Sequence, residues 1–498
     1  MANSFAYFML LAWPVVSFVL YCRLSALNAT FWTIAGGYLL LPVRVGIDLP
    51  MLPAFDKTSI PALSAMLWCL VVKRRWVPLT PGNLREKILF ISVIVFPLFS
   101  ALNNPEPYFN GEETIQGLTL YDGISFSLKS YFDLVPFLLG AAVVRTRAEL
   151  VQLVRLLIIA GIVYTPAILF EIRMSPQLHT WVYGFFPHDF IQQVRFGGFR
   201  PVVFIGHGLL VSMLMVISCT AAAILTTMRL SLTRIPGLLI LISLLVILLL
   251  CKSVGAWILG MVAILTILVV PPRVKQITAL SIAVLVVFYP LMSLLGWFPI
   301  ESVLDAAAVF GQDRADSLAF RFNHESALLI HAKEKMWLGW GGWGRNRLHD
   351  SVTDGYWVMV LGTAGVLGYL AISGLLISPI LRAGKLVFGG RDAGQKQIFS
   401  GISILLVVLM VDQIPNSSLS EIVWFVAGAV LGVTSTKPVR LVHRKNSKLI
   451  PGKPARTPPS NPGAFARNNL ADSTGSAKRQ TAQLTLISSR SRAEQCTS

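Results

Sequence analysis

The chain has 498 residues, 54% of them hydrophobic and only 13% charged, where an ordinary soluble protein carries about 25% charged residues. That deficit, together with long apolar runs, excludes an ordinary soluble enzyme and points to a multi-pass membrane protein. The net charge of +18 is unevenly placed: from Lys437 onward there are twelve Lys/Arg against two Asp/Glu, a net +10.

Apolar runs lie near 5–22, 29–43, 60–72, 88–102, 131–144, 152–170, 201–228, 236–251, 254–271, 278–297, 355–381, 398–411 and 421–434. Only helices suit them, because backbone groups in lipid must be satisfied within their own segment. The first run meets Arg23 rather than a small-residue cleavage site and reads as a retained helix. Residues 1–434 are therefore expected to form an all-α polytopic bundle of about 11–13 transmembrane helices. Residues 435–498, rich in Pro, Ser, Asn and Gly, read as a basic, disordered cytoplasmic tail attracted to anionic lipid rather than to nucleic acid. The five cysteines show no metal or redox spacing, and neither a disulfide framework nor a metal is expected. No Walker-type phosphate loop is present, which argues against a nucleotide-powered pump.

Basic residues follow alternate runs: Lys73, Arg74 and Arg75; Arg145 and Arg147; Arg229 and Arg234; Arg273 and Lys275; Arg382 and Lys385; and the tail. The positive-inside rule places these connections on the cytoplasmic side and the N-terminus outside. The connections near 44–60, 103–130, 171–200 and 298–354 then face outward. The last is the longest, and long loops in compact proteins are often functional. Within it, 316–335 reads as an interfacial helix, with Arg321, His324, Glu325, His331 and Lys335 on one side and Leu318, Phe322 and Leu329 on the other.

Several outward residues could carry chemistry. Arg195 and Arg200 flank a Gly-Gly step before an apolar helix containing His207. Guanidinium is always charged and grips phosphate oxygens as a fork, so the pair suits a diphosphate; interfacial snorkelling is the plainer alternative. Lys252 sits in a turn between two apolar runs, where an ionisable group is a site hypothesis or another snorkelling lysine. The stretch Trp337-Leu-Gly-Trp340-Gly-Gly-Trp343-Gly-Arg345-Asn-Arg347-Leu-His349 combines flexible glycines, tryptophans best read as interface anchors, arginines, and a histidine of the type used as a general base.

Together, Arg321, Trp337-Leu-Gly-Trp-Gly-Gly-Trp-Gly, His349, Gly355-Tyr-Trp and Leu361-Gly-Thr-Ala-Gly365-Val-Leu-Gly resemble the signature of the O-antigen ligase and polymerase superfamily. Lys252-Ser253-Val-Gly255-Ala-Trp257 is similar to that family's Ser-Arg-Gly-Ala-Trp helix start, and ten residues separate Arg195 from Gly206 as in the polymerases' arginine-to-glycine spacing. The resemblance covers about 190–370. It implies a bacterial inner-membrane enzyme that needs no cofactor and transfers a glycan from a polyprenyl-diphosphate carrier to an acceptor hydroxyl, with inversion, at the outward face. It further implies an acceptor glycan, membrane lipid and, for a polymerase, a chain-length regulator as partners. On this reading Arg195, Arg200, Lys252 and Arg321 contact the diphosphate or glycan and His349 is the general base. Glu325, Arg345, Arg347 and Asp354 are further candidate contacts. Polymerisation of repeat units is favoured over ligation of a finished glycan. A lipid-linked glycan flippase is the alternative of a different class, disfavoured because charge concentrates in loops rather than inside the bundle.

Overall fold

The computed structural model describes residues 2–435, apart from residues 50, 51, 112, 196, 233, 310, 350, 352 and 353. The chain divides into two units, Met1–Pro438 and Val439–Ser498. The second, and with it the expected disordered tail, lies outside the described residues.

The first unit begins with α1 (Ser4–Arg23) and α2 (Ala26–Leu40), then a hairpin of β1 (Gly46–Ile47) and β2 (Phe55–Asp56). Helices α3 (Ser59–Val71) and α4 (Leu84–Leu102) lead to a second hairpin, β3 (Tyr108–Asn110) and β4 (Glu113–Ile115), and then α5 (Leu120–Val143) and α6 (Arg147–Met174). A short α7 (Leu178–Tyr183) precedes β5 (Val194–Arg195) and β6 (Gly198–Phe199), which enter α8 (Gly208–Thr227). After β7 (Ser231–Leu232) and β8 (Ile235–Pro236) come α9 (Gly237–Leu250), α10 (Val254–Val269) and α11 (Pro272–Leu294). The long connection holds α12 (Ile300–Ala308) and α13 (Gln312–Glu334), and α14 (Tyr356–Gly389), α15 (Ala393–Asp412) and α16 (Glu421–Ser435) complete the unit.

Each apolar run is met by a helix. Seven of these, α1, α5, α6, α8, α11, α14 and α15, are long and apolar enough to cross a membrane. Sequence-coded caps set their starts: Thr119 with Asp122 and Thr146 with Glu149 form capping boxes on α5 and α6, and Asp392 accepts the Gln395 N–H ahead of α15. Leucine, valine and phenylalanine side chains remain exposed along the outer helices, for example Leu11, Val15, Leu239 and Leu285. Such a surface is unfavourable in water and neutral in hydrocarbon.

The connections sort into two ends. At one end Arg75 donates to the Val143 carbonyl (3.2 Å), Arg147 pairs with Asp392, and Arg382 grips Glu86 with two 3.0 Å bonds. At the other, Asn3 N–H donates to Tyr183 O, Lys57 to Phe204 O (3.3 Å), and Lys129 to Thr58 Oγ1 (2.8 Å). The first end holds the basic connections, and the second holds the loops read above as candidate chemistry.

Charged residues do occur inside the helices, contrary to the expectation that these are nearly charge-free. Glu86, Glu171, Lys275 and Asp412 are buried, but they lie in terminal turns with partners: Lys275 donates to Gln397 Oε1 and Asp412 accepts from Asn416. Helix α14 is broken at Gly365, whose φ of 66° and ψ of −171° are not helical. The break frees backbone groups that the preceding loop takes up. Trp340 N–H donates to Gly362 O (2.7 Å) and Gly341 N–H to Thr363 O (3.0 Å). In return, Val366 N–H donates to Met336 O (2.8 Å) and Leu367 N–H to Trp337 O (3.3 Å).

Candidate functional site

At the loop end, the approach to α8 is laid against α6 by side chains. Glu171 Oε2 accepts the N–H groups of Val202 and Val203, both at 2.7 Å, and Tyr164 Oη accepts that of Phe204. Val203 is thereby held at φ 49°, a conformation β-branched residues rarely adopt. This pins the neighbouring Arg200, which is buried with Nη2 3.5 Å from Ser253 Oγ. Arg195 lies in β5, paired with Gly198 of β6. Lys252, at φ 53° in the α9–α10 turn, brings its ammonium so close to Gly198 that a Cβ there would clash with it. The structure thus brings together Arg195, Arg200 and Lys252 from two separate connections.

His207 links this group to the long loop. It caps α8 by accepting the Leu209 N–H, and its ring meets that of His188 edge-on at 4.6 Å. Burial, then the positive charges of Arg200, His188, Arg321 and Arg195, push its imidazole down to about 3. Arg321, from α13, therefore stands close enough to share the electrostatic field of the β5–β6 arginines. Guanidinium and ammonium groups at one end of the bundle are of the chemistry that binds a multivalent anion.

Arg321 is held by its surroundings. Its Nη1 donates to Pro415 O (3.0 Å) and Asn416 Oδ1 (3.2 Å), and its Nε pairs with Asp354 at 3.2 Å. The same α15–α16 connection accepts the Tyr356 N–H on Gln413 O and Asn416 O, capping α14. Arg321, Glu325, Leu328, Asp354, Gly355 and Pro415 line a small pocket of about 20 Å³, room for about one water or hydroxyl. Glu325 does not pair along the helix with Arg321. Its Oε1 accepts from Tyr289 (2.9 Å) and Ser293 (3.3 Å) of α11, and burial raises its carboxyl to about 7.

His349 lies elsewhere. It is exposed and lines a cleft of about 600 Å³ with Tyr108, Asn110, Gly111, Asn323, His324 and Ser351. Asn323, His324 and Ala327 reach this cleft from one side of α13, while Arg321, Glu325 and Leu328 face the small pocket from another. The two openings therefore share a helix but not a face.

Two expectations change. The polar side of α13 is not a solvated stripe: His331 is buried, stacked on Trp340 at 4.4 Å with its Nε2–H donating to Arg345 O, and Glu325 turns inward. Phe320 and Ile330 of the same helix are exposed instead. Arg345, expected as a substrate contact, is buried. It donates to Gln116 O (3.0 Å) and covers the Tyr108 ring, joining the β3–β4 hairpin to the glycine-rich loop. Arg347 is exposed. Trp337 and Trp343 are exposed, as anchors would be, whereas Trp340 is packed inside.

Sequence reasoning passed over the 413–420 connection, although Asp412-Gln-Ile-Pro-Asn416-Ser-Ser418 is a polar break between two apolar helices. It also passed over the β3–β4 hairpin, whose Asn110-Gly111 turn is a strong hairpin signal. Among the described residues no three His, Cys, Asp or Glu side chains converge as a metal site needs. No protein-family model matches the chain, and no curated protein matches its sequence.

Proposed function

We propose that the chain is a polytopic inner-membrane glycan transferase. It takes an oligosaccharide from a polyprenyl-diphosphate carrier to an acceptor hydroxyl at the loop end, which faces outward, and polymerises repeat units of an exported polysaccharide. The observation that carries this reading is the meeting of Arg195, Arg200 and Lys252 from two separate connections, with Arg321 at the same end, opposite the basic connections. A diphosphate leaving group gains negative charge as the glycosidic bond breaks, and prearranged cations stabilise that charge where it develops. The positive-inside bias disfavours such cations on an outward face, which is a reason to give them a task. The wide cleft lined by Tyr108, Asn110, Asn323, His324 and His349 offers aromatic, amide and imidazole groups suited to the distal sugars of a glycan chain. The buried charges Glu86, Glu171, Lys275 and Asp412 lie in terminal turns rather than at the midplane where a flippase places its polar site, which weighs against that alternative.

The test is transfer by the purified protein in liposomes, supplied with a polyprenyl-diphosphate-linked oligosaccharide repeat and read by product size. A ladder that Arg321→Ala abolishes supports polymerisation. A single product on an added lipid acceptor supports ligation instead. Intact donor in the presence of both kinds of acceptor overturns the transferase reading.

A further inference from the structure

Resting on that transferase reading, we infer that Glu325, rather than His349, accepts the proton of the acceptor hydroxyl. Glu325 lines the same pocket as Arg321, and that pocket has room for one hydroxyl. His349 opens into a separate cleft reached from another side of α13. A base must come within hydrogen-bond reach of the proton it removes while the leaving group is held nearby. Arg321 and Glu325, one helical turn apart, satisfy both requirements from one rigid element.

The step balances as follows. The acceptor oxygen forms a bond to the anomeric carbon as the bond from that carbon to the diphosphate oxygen breaks. The bonding pair leaves with the polyprenyl diphosphate beside the arginines. The hydroxyl proton passes to the Glu325 carboxylate, which returns it to water after product departs.

The surroundings fit the role. Tyr289 and Ser293 both donate to Oε1, and Trp357 also reaches the carboxyl, so the group is fixed in place. Tyr289 packs edge-on against Trp357 and Phe298, so the site is largely apolar. The charged or titratable groups facing it are Arg321 on its own helix, Tyr289 on α11 and Asp354 before α14. The 413–420 connection contributes the uncharged Ile414 and Pro415. Arg321 turns to Asp354, Pro415 and Asn416, so it does not neutralise Glu325. Burial accordingly raises the carboxyl to about 7, where a base near neutral pH is most effective.

Two measurements on the full-length protein test this. Infrared titration should show a protonated-carboxyl band that disappears as pH rises through about 7 and is absent in Glu325→Gln. In reconstituted transfer, Glu325→Gln should lower kcat about 100-fold, leave donor KM unchanged and remove the rise of rate near pH 7, while His349→Ala keeps that rise. Glu325→Gln with kcat and pH profile intact, beside an inactive Arg321→Ala, overturns the assignment, as does a wild-type spectrum lacking the band. A band that is present without transfer by the wild type overturns the transferase reading and the base role with it, leaving only a proton site.

Discussion

Arg321 shows how much one side chain can be asked to do. It bridges Asp354, Pro415 and Asn416 while adding its charge to the field on His207. An ammonium cannot span those partners as a fork does. Arg321→Lys should therefore keep the charge but lose the fixed direction, lowering reconstituted transfer at least 10-fold, with Arg321→Ala costing about 100-fold. Glu325 makes a second prediction, in stability. A carboxyl raised from 4.5 to about 7 by burial holds its proton in the folded state over a range where the unfolded chain has lost it. The folded state then binds more protons, so stability falls as pH rises from about 4.5 to about 7 and levels off above. Glu325→Gln should remove that decline, so its apparent melting temperature gains on the wild type between pH 5 and 8 by about a few degrees. That Arg321 and Glu325 lie on a helix of the long loop was legible from the sequence. That Glu325 would turn to α11 was not, because i,i+4 spacing suggests a pair with Arg321 and cannot report which neighbouring helix supplies Tyr289.

The helices were legible because apolar length is a one-dimensional property, and their starts follow from Thr119, Thr146 and Asp392. The break in α14 was not legible. Leu361-Gly-Thr-Ala-Gly365-Val-Leu-Gly reads as an uninterrupted apolar helix, and nothing local says that a loop some 25 residues earlier needs its carbonyls. The glycine carries the break: a Cβ at Gly365 would overlap the Trp337 backbone, and one at Gly339 would come within 2.5 Å of the Thr363 carbonyl carbon. Gly365→Ala combines that clash with a strained backbone and should cost about 3 kcal/mol or more. Much lower yield of monodisperse protein, measured by size-exclusion chromatography, would register it. An unaffected yield would mean that the loop does not dock as described. The same reasoning explains Arg345: a basic residue in a glycine-rich loop suggests a ligand contact, but the partner that buries it, Gln116, comes from a hairpin more than 200 residues away.

At the scale of the helical unit, both ends are stapled by contacts between segments distant in sequence. The basic end relies on ion pairs between helices distant in sequence, above all the bidentate Arg382–Glu86 contact joining α14 to α4, in which Glu86 is buried. Removing one partner strands the other, so Arg382→Ala should destabilise by about 3 kcal/mol, and Arg382→Ala with Glu86→Ala together by less than the single change. Unfolding in mixed detergent would measure both. The alternation of basic connections was readable from the chain because each charge is local to its own loop. The meeting of the β5–β6 arginines with Lys252 was not, since it depends on which loops abut in space. The loop end has ion pairs such as Arg321–Asp354 and is joined by main chain as well: residues 336–341 and 362–367 complete one another's hydrogen bonding. They are inseparable as a building block. A chimera that swaps the long loop alone would leave bare amides in the middle of a spanning helix. An exchange that is to survive must carry the upper half of α14 along with it.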